Sequence, residues 1–195
     1  MKRQRKSVPE LSETIHTERF LLKPVGKIRS VQLFKKMQED AEILRQLTHS
    51  DRKANWWKLF RTRKLPNHRS RFIHEIVAVE KGGSIGYHEV RLYPYKSASL
   101  GVVILDRDWW GQAVPVEIRS AIMAQFARHA GVERFVGNVA SRNFASILNY
   151  KKLGFKHSGT THRSNFDTIA QQPVDYFSFE LLKEDFPAHW HETKA

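Results

Sequence analysis

Three hydrogen-bonding side chains, Asn143, Ser146 and Tyr150, recur at i, i+3 and i+7 in a segment whose apolar residues keep helical spacing. Groups so placed share one line of a helix, and one line can serve one ligand. Asn143 suits an N-cap, because its side-chain oxygen accepts a free backbone N–H, and Gly154 closes the helix before a strand beginning at Phe155. On spacing alone a capped surface helix explains the segment equally well. A second group lies between positions 52 and 71, where Trp56 and Trp57 precede Arg61, Arg63 and Lys64 and no acidic residue occurs. Basic side chains interleaved with aromatics contact phosphates and stack on bases. The structural alternative is a solvated charged loop over core tryptophans. In the central strands Glu89 is the only carboxylate between Lys81 and Leu105, which makes it the best candidate for a general base, with His88 second. Strand alternation puts these two on opposite faces, so at most one meets a substrate. Glu89 has a structural alternative too, as a surface partner of Arg91.

The elements that must hold these groups follow from periodicity and turn chemistry. Residues 1–10 read as a basic flexible arm, 11–183 as a single domain and 184–195 as a tail. A strand over 18–24 ends at Pro24, and apolar residues from Val31 to Leu47 give a helix over roughly 28–47. A short helix over 55–60 precedes a basic loop reaching Pro66. Strands at 72–80 and 84–92 form a hairpin, since Gly82-Gly83 suits the positive φ angles of a tight turn, and a third strand covers 98–105. A helix over about 115–130, a strand at 134–139, the capped helix and strands at 155–163 and 174–182 complete an α+β chain.

At 195 residues and 41% hydrophobic content the chain fits one globular domain with a proper core. It has no cysteine, which removes disulfides, thiolate metal sites and cysteine nucleophiles together. No run approaches the roughly 20 apolar residues that span a bilayer, and no apolar segment follows the basic start. A cytoplasmic protein without membrane contact is expected. His189 and His191 lack a nearby carboxylate or thiol at ligand spacing, so no metal is expected. The net charge of +13 is nearly all held by Lys2, Arg3, Arg5, Lys6 and the stretch 52–71. Charge so localised marks a surface that meets something negative.

The pattern Asn143-x-x-Ser146-x-x-x-Tyr150-x-Lys152-Leu153-Gly154-Phe155 resembles the last motif of the GCN5-related N-acetyltransferases, in the variant of their RimJ/RimL-type branch. Thr17-Glu-Arg-Phe-Leu-Leu-Lys-Pro24 resembles the family's opening strand, and the order β-α-α-β-β-β-α-β-α-β-β is the family's order. The resemblance covers roughly residues 15–183. It implies a GNAT fold, a central mixed, mostly antiparallel twisted sheet of about seven strands flanked by about four helices. It implies acetyl-coenzyme A as cofactor, with Asn143 and Ser146 facing the pantetheine arm and Tyr150, a phenol protonated at pH 7, giving a proton to the departing thiolate. Backbone N–H groups at Val103, Ile104 and Leu105 are implied to polarise the thioester carbonyl.

The junction Leu105-Asp-Arg-Asp-Trp-Trp-Gly-Gln-Ala-Val-Pro-Val-Glu117 resembles the family's pyrophosphate loop, with Asp106, Gly111 and Glu117 in register. A tight loop feeding a helix N-terminus holds an anion through free N–H groups and the helix dipole. The cofactor-binding stretch is then Trp110, Gly111, Gln112, Ala113, Val114 and Pro115. Three positions depart from the family pattern: Trp110 stands for Gln or Arg, Ala113 for the central glycine and Pro115 for a small last residue. A positive φ at Ala113 costs about 1 kcal/mol, whereas Pro115 suits a first helical turn. Glu117 reads as structural. Two function classes follow. One is an N-acetyltransferase in which a primary amine, on a protein N-terminus or a small molecule, attacks directly in a ternary complex; it acts as monomer or homodimer on an acidic or RNA-associated acceptor. The alternative is a GNAT-fold module with a degenerate cofactor loop that binds nucleic acid or protein through Trp56, Trp57, Arg61, Arg63 and Lys64.

Overall fold

The computed structural model describes residues 8–47, 65–167 and 170–186. Eight strands form one sheet: β1 (Ile15–His16), β2 (Phe20–Pro24), β3 (Arg71–Ala78), β4 (Ser84–Tyr93), β5 (Ser97–Ile104), β6 (Arg134–Ala140), β7 (Lys156–Asp167) and β8 (Gln172–Leu182). Their order is β1-β2-β3-β4-β5-β6-β8-β7. The helices are α1 (Lys27–Glu39), α2 (Ala41–Gln46), α3 (Val114–Ala130) and α4 (Phe144–Lys152). The GNAT architecture expected from the sequence is present, with one more strand than expected because β1 adds a two-residue edge. The basic residues 1–7, the expected helix over 55–60 and the pair His189 and His191 lie outside the described residues. Pro9 and Glu10, expected in the arm, form a 3-10 turn that plants Leu11 in the core.

The single helix expected over 28–47 is two. Asp40 leaves α1 with extended backbone and its carboxylate accepts the N–H groups of Glu42 and Ile43, starting α2 afresh. In α3, Pro115 sits in the first turn and Gly131 ends the helix in the left-handed region. Val114, Ile118, Ile122 and Phe126 form its buried stripe against one face of the sheet. On the other face Leu33, Phe34, Met37, Ile43 and Leu44 of α1 and α2 pack on Ile73, Tyr87 and Val103.

The sheet departs from regular pairing at β5 and β6. Strands β5 and β6 run parallel but pair only where Ser97, Ala98 and Ser99 meet Arg134, Phe135 and Val136. Beyond that point β5 stays with β4 and β6 stays with β8. The sheet therefore opens into a fork.

Candidate active site

The fork exposes backbone, and its direction can be worked out. The Leu100 carbonyl accepts the Tyr150 hydroxyl at 3.4 Å, and the Ile104 carbonyl accepts the Trp110 indole N–H at 3.2 Å. Leu105 instead donates its N–H to Ile85 across the β4 side, at 2.7 Å. Successive residues of a strand turn their N–H and C=O to opposite sides. Val102, between Leu100 and Ile104, thus turns its donor and acceptor into the fork.

A cavity of about 320 Å³ occupies this opening. Val102, Val103 and Ile104 form one wall, and Ile43, Gln46 and Leu47 at the end of α2 form another. Helix α4 supplies a third wall through Ala145, Ser146, Leu148, Asn149 and Lys152. Trp109, Trp110, Gly111, Ala113 and Pro115 close one end at the start of α3. The walls of α2 and α4 are tied together. Asn143 caps α4 by accepting the Ser146 N–H at 3.0 Å, and its amide donates to the Gln46 carbonyl at 3.2 Å. Arg142 donates to the Arg45 carbonyl beside it. Both carbonyls belong to the last turn of α2, where a cation and amide donors are favourable.

The stripe read from the sequence therefore divides. Asn143 and Ser146 line the cavity, with Asn143 already committed to its cap and brace. Tyr150 is only 2% exposed and does not line the cavity. Its ring stacks on Phe179 at 5.2 Å and meets Phe155 edge-on at 5.0 Å, and its hydroxyl lies at the closed end of the fork. The reason is geometric: Ala145, Leu148, Asn149 and Lys152 carry the cavity face of α4, Ser146 stands at its edge, and Tyr150 lies further round the helix, turned into the core. The sequence reading missed Val102, the end of α2, Asn149 and Lys152. For the last two the signal was present, since Ala145, Leu148, Asn149 and Lys152 recur at i, i+3, i+4 and i+7.

The loop into α3 keeps the expected shape. Gly111 has φ of 79° and Ala113 has φ of 56°. Both are left-handed, so the chain turns sharply before the 17-residue helix begins. Trp110, Gly111, Ala113 and Pro115 reach the cavity; Gln112 turns back to donate to the Asp108 carbonyl at 2.6 Å, and Val114 is fully buried in the core. Leu105 packs with the α1–α2 cluster instead of lining the cavity. Glu117 anchors the first turn of α3, accepting the Arg19 backbone N–H at 3.0 Å and its guanidinium at 2.7 Å. Burial pushes the Glu117 carboxyl up, but bonds from Thr17 and Arg19 outweigh it and hold the carboxyl below its ordinary value. Ala113→Gly is expected to add about 1 kcal/mol to stability by relieving the left-handed alanine; an unchanged denaturant midpoint would contradict that strain.

Glu89 lies on the face that carries α1 and α2, off the cavity wall. Its Oε1 takes Arg91 at 3.1 Å and Arg71 at 3.2 Å, and its Cβ stands 3.9 Å from a Cβ built on Gly101 of β5. His88, the second base candidate, is fully buried on the opposite face, and burial, then the charges of Arg119 and His74, push its pKa well down. A neutral core imidazole sealed from solvent cannot meet an acceptor amine. Trp56, Trp57, Arg61, Arg63 and Lys64 lie outside the described residues.

The cavity thus opens between the fork, the end of α2, α4 and the loop into α3. The acetyltransferase (GNAT) domain family matches residues 19–156, over half of the chain. The chain belongs to the GNAT acetyltransferase family. Solved GNAT structures share the architecture of this domain. The ribosomal-protein-S5-alanine acetyltransferase from Vibrio fischeri is 14% identical, covering 90% of this chain and 99% of that one at a TM-score of 0.71. Mycobacterium smegmatis RimJ, in complex with CoA-disulfide, is 15% identical over 93% of each chain, with a TM-score of 0.71. Spermidine N-acetyltransferase from Vibrio cholerae, in complex with CoA and spermine, is 12% identical, covering 87% of this chain and 98% of that one at 0.72. At these identities the likeness is one of fold. No curated protein matches the sequence. Among the described residues of this GNAT domain, no helix is long and apolar enough to cross a membrane.

Proposed function

We propose that this GNAT chain transfers an acetyl group from acetyl-coenzyme A to a primary amine, by direct attack with both partners bound. The observation that carries this reading is the Val102 backbone, turned into a fork whose cavity runs between α4 and the start of α3. Bound acetyl-coenzyme A supplies the activated thioester. Val102 would donate its N–H to the thioester carbonyl, and its C=O would accept an amide N–H of the arm. Ser146 and Asn149 add side-chain partners, while Lys152 and the N-terminus of α3 meet the phosphates. Tyr150 does not line the cavity, but its hydroxyl reaches the closed end of the fork at the Leu100 carbonyl, and we assign it as the proton donor to a leaving sulfur seated there. A thiolate leaving group needs that proton more than the acceptor needs a strong base. An α-amine, with a reference pKa of about 8, is already partly neutral at pH 7.

The acceptor reading rests on charge. The chain carries a formal charge of +13. A polycationic amine is repelled by such a charge, whereas an acidic protein N-terminus, or one carried on RNA, is drawn to it. The test is release of free thiol from acetyl-coenzyme A, read with a thiol-reactive dye. The background is clean because the chain has no cysteine. Peptides with acidic residues behind a free N-terminus are expected to turn over, and turnover is expected to fall as salt rises. Absence of thiol release with peptide and polyamine acceptors alike would sink the proposal.

A further inference from the structure

Beneath the fork lies a buried cation that the reading above leaves unused. Arg119 is 2% exposed, and among the described residues no carboxylate pairs with it. Its Nε and Nη1 have no hydrogen-bond partner there. An unpaired guanidinium in a core costs several kcal/mol, so as a packing residue Arg119 is worse than leucine or methionine. Among the described residues its hydrogen bond and its ring contact both go to Tyr150. Nη2 donates to the phenol oxygen at 3.3 Å, and the guanidinium carbon stands 4.3 Å from the ring centroid.

The rest of the surroundings hold Tyr150 in place. Phe179 and Phe155 grip the ring from two directions. A Cβ on Gly137 of β6 would overlap the Tyr150 hydroxyl, so the hydroxyl reaches the fork only because residue 137 is glycine. There it bonds the Leu100 carbonyl, one strand repeat of about 7 Å from Val102. Arg119 itself stands one helical turn beyond Pro115, which lines the cavity. The titratable group facing Arg119 across the core is His88, whose pKa burial and the Arg119 charge push well down, so it supplies no counter-charge.

We propose that Arg119 is a positioning residue for acyl transfer, fixing the Tyr150 hydroxyl at the closed end of the fork and compensating the negative charge Tyr150 acquires during turnover. The inference rests on the acyl-transfer reading above. Tyr150 gives its proton to sulfur as the carbon–sulfur bond breaks and the carbon–nitrogen bond to the acceptor forms. The proton shed by the acceptor nitrogen returns through solvent to the phenolate, so the pair ends as it began. A cation already in place beside the buried ring offsets the phenolate without reorganisation.

The test is a double-mutant cycle with coenzyme A binding measured alongside turnover. Arg119→Met and Tyr150→Phe are each expected to lower kcat by about 100-fold, with coenzyme A Kd and acceptor KM within about twofold. The double variant is expected to be no slower than Tyr150→Phe alone, because Arg119 acts through Tyr150. Arg119→Lys is expected to recover most of the loss. Losses that multiply in the double variant, or a kcat that falls only in step with Kd and the unfolding midpoint, would overturn the proposal. If Arg119→Met does not fold, the cycle is run with Arg119→Lys: a modest kcat loss that vanishes in the Tyr150→Phe background supports the proposal, and an additive one overturns it. No turnover by the unaltered protein is a different result, which removes the acyl-transfer reading and this inference with it.

Discussion

Replacing Gly86 with alanine is expected to lower the denaturation midpoint by roughly 10 °C and to remove measurable coenzyme A binding. Gly86 lies on β4 opposite Ile104 of β5. A Cβ there would overlap the Val103 carbonyl oxygen and stand 3.0 Å from the Ile104 Cα. Both obstacles are backbone, so no side chain can rotate away and the β4–β5 ladder must open at the cavity wall. A cost of about 3 kcal/mol or more follows, at the upper end for overpacking. Affinity falls with stability because the displaced residues, Val103 and Ile104, line the cavity. Gly101→Ala is the control. It sits in the same strand pair, but its Cβ meets only the Glu89 Cβ, at an ordinary 3.9 Å. Thermal melts and calorimetry on both variants decide the matter, and a Gly86→Ala protein that melts and binds like Gly101→Ala would contradict the packing described.

Acid is expected to weaken the fold well before its carboxylates titrate. His74 and His88 pair across β3 and β4 and are both fully buried. Burial first, and the His68 charge second, lower the His74 pKa to about 4, and His88 lies well below its ordinary value. Both groups bind protons more readily unfolded than folded. Their contribution is therefore complete above the unfolded pKa of 6.5 and is lost as pH falls from there through the folded values. Each removes up to about 1.4 kcal/mol per pH unit, so His74 alone accounts for roughly 3 kcal/mol between pH 6.5 and 4. The carboxyls of Glu75 and Glu117, held below their usual value of 4.5, add to the loss only below that pH. Urea titrations at pH 7.5, 6 and 5 are expected to show a steady fall that His74→Phe makes shallower. Equal stability at pH 7.5 and 5 would contradict neutral buried imidazoles.

Much of the fold was legible because local signals agreed with it. The Gly82 turn, the Asn143 cap and the Gly131 and Gly154 stops all end elements where positive φ or a side-chain acceptor is needed. The break at Asp40 was hidden because the apolar spacing runs across it, and only the capping bonds of its carboxylate reveal two helices. The cavity was half legible. Helix α4 and the loop into α3 carry recognisable residue types, whereas Val102 matters through its backbone direction. That direction depends on where the β5–β6 pairing stops, which no side chain announces. Arg119 was unreadable for the opposite reason: a charge in a helix ordinarily marks the solvent face, and its burial appears only once Tyr150 and Gly137 are in place around it.

The fork between β5 and β6 is expected to hold acetyl-coenzyme A despite the alanine and proline in the loop into α3. Isothermal titration of the whole chain with acetyl-coenzyme A tests it most directly. Saturable binding at one site per chain, with a Kd in the micromolar range and weakened by a bulky Ser146→Phe substitution in the cavity wall, is the predicted result. No heat of binding at millimolar acetyl-coenzyme A from a protein shown to be folded would contradict it.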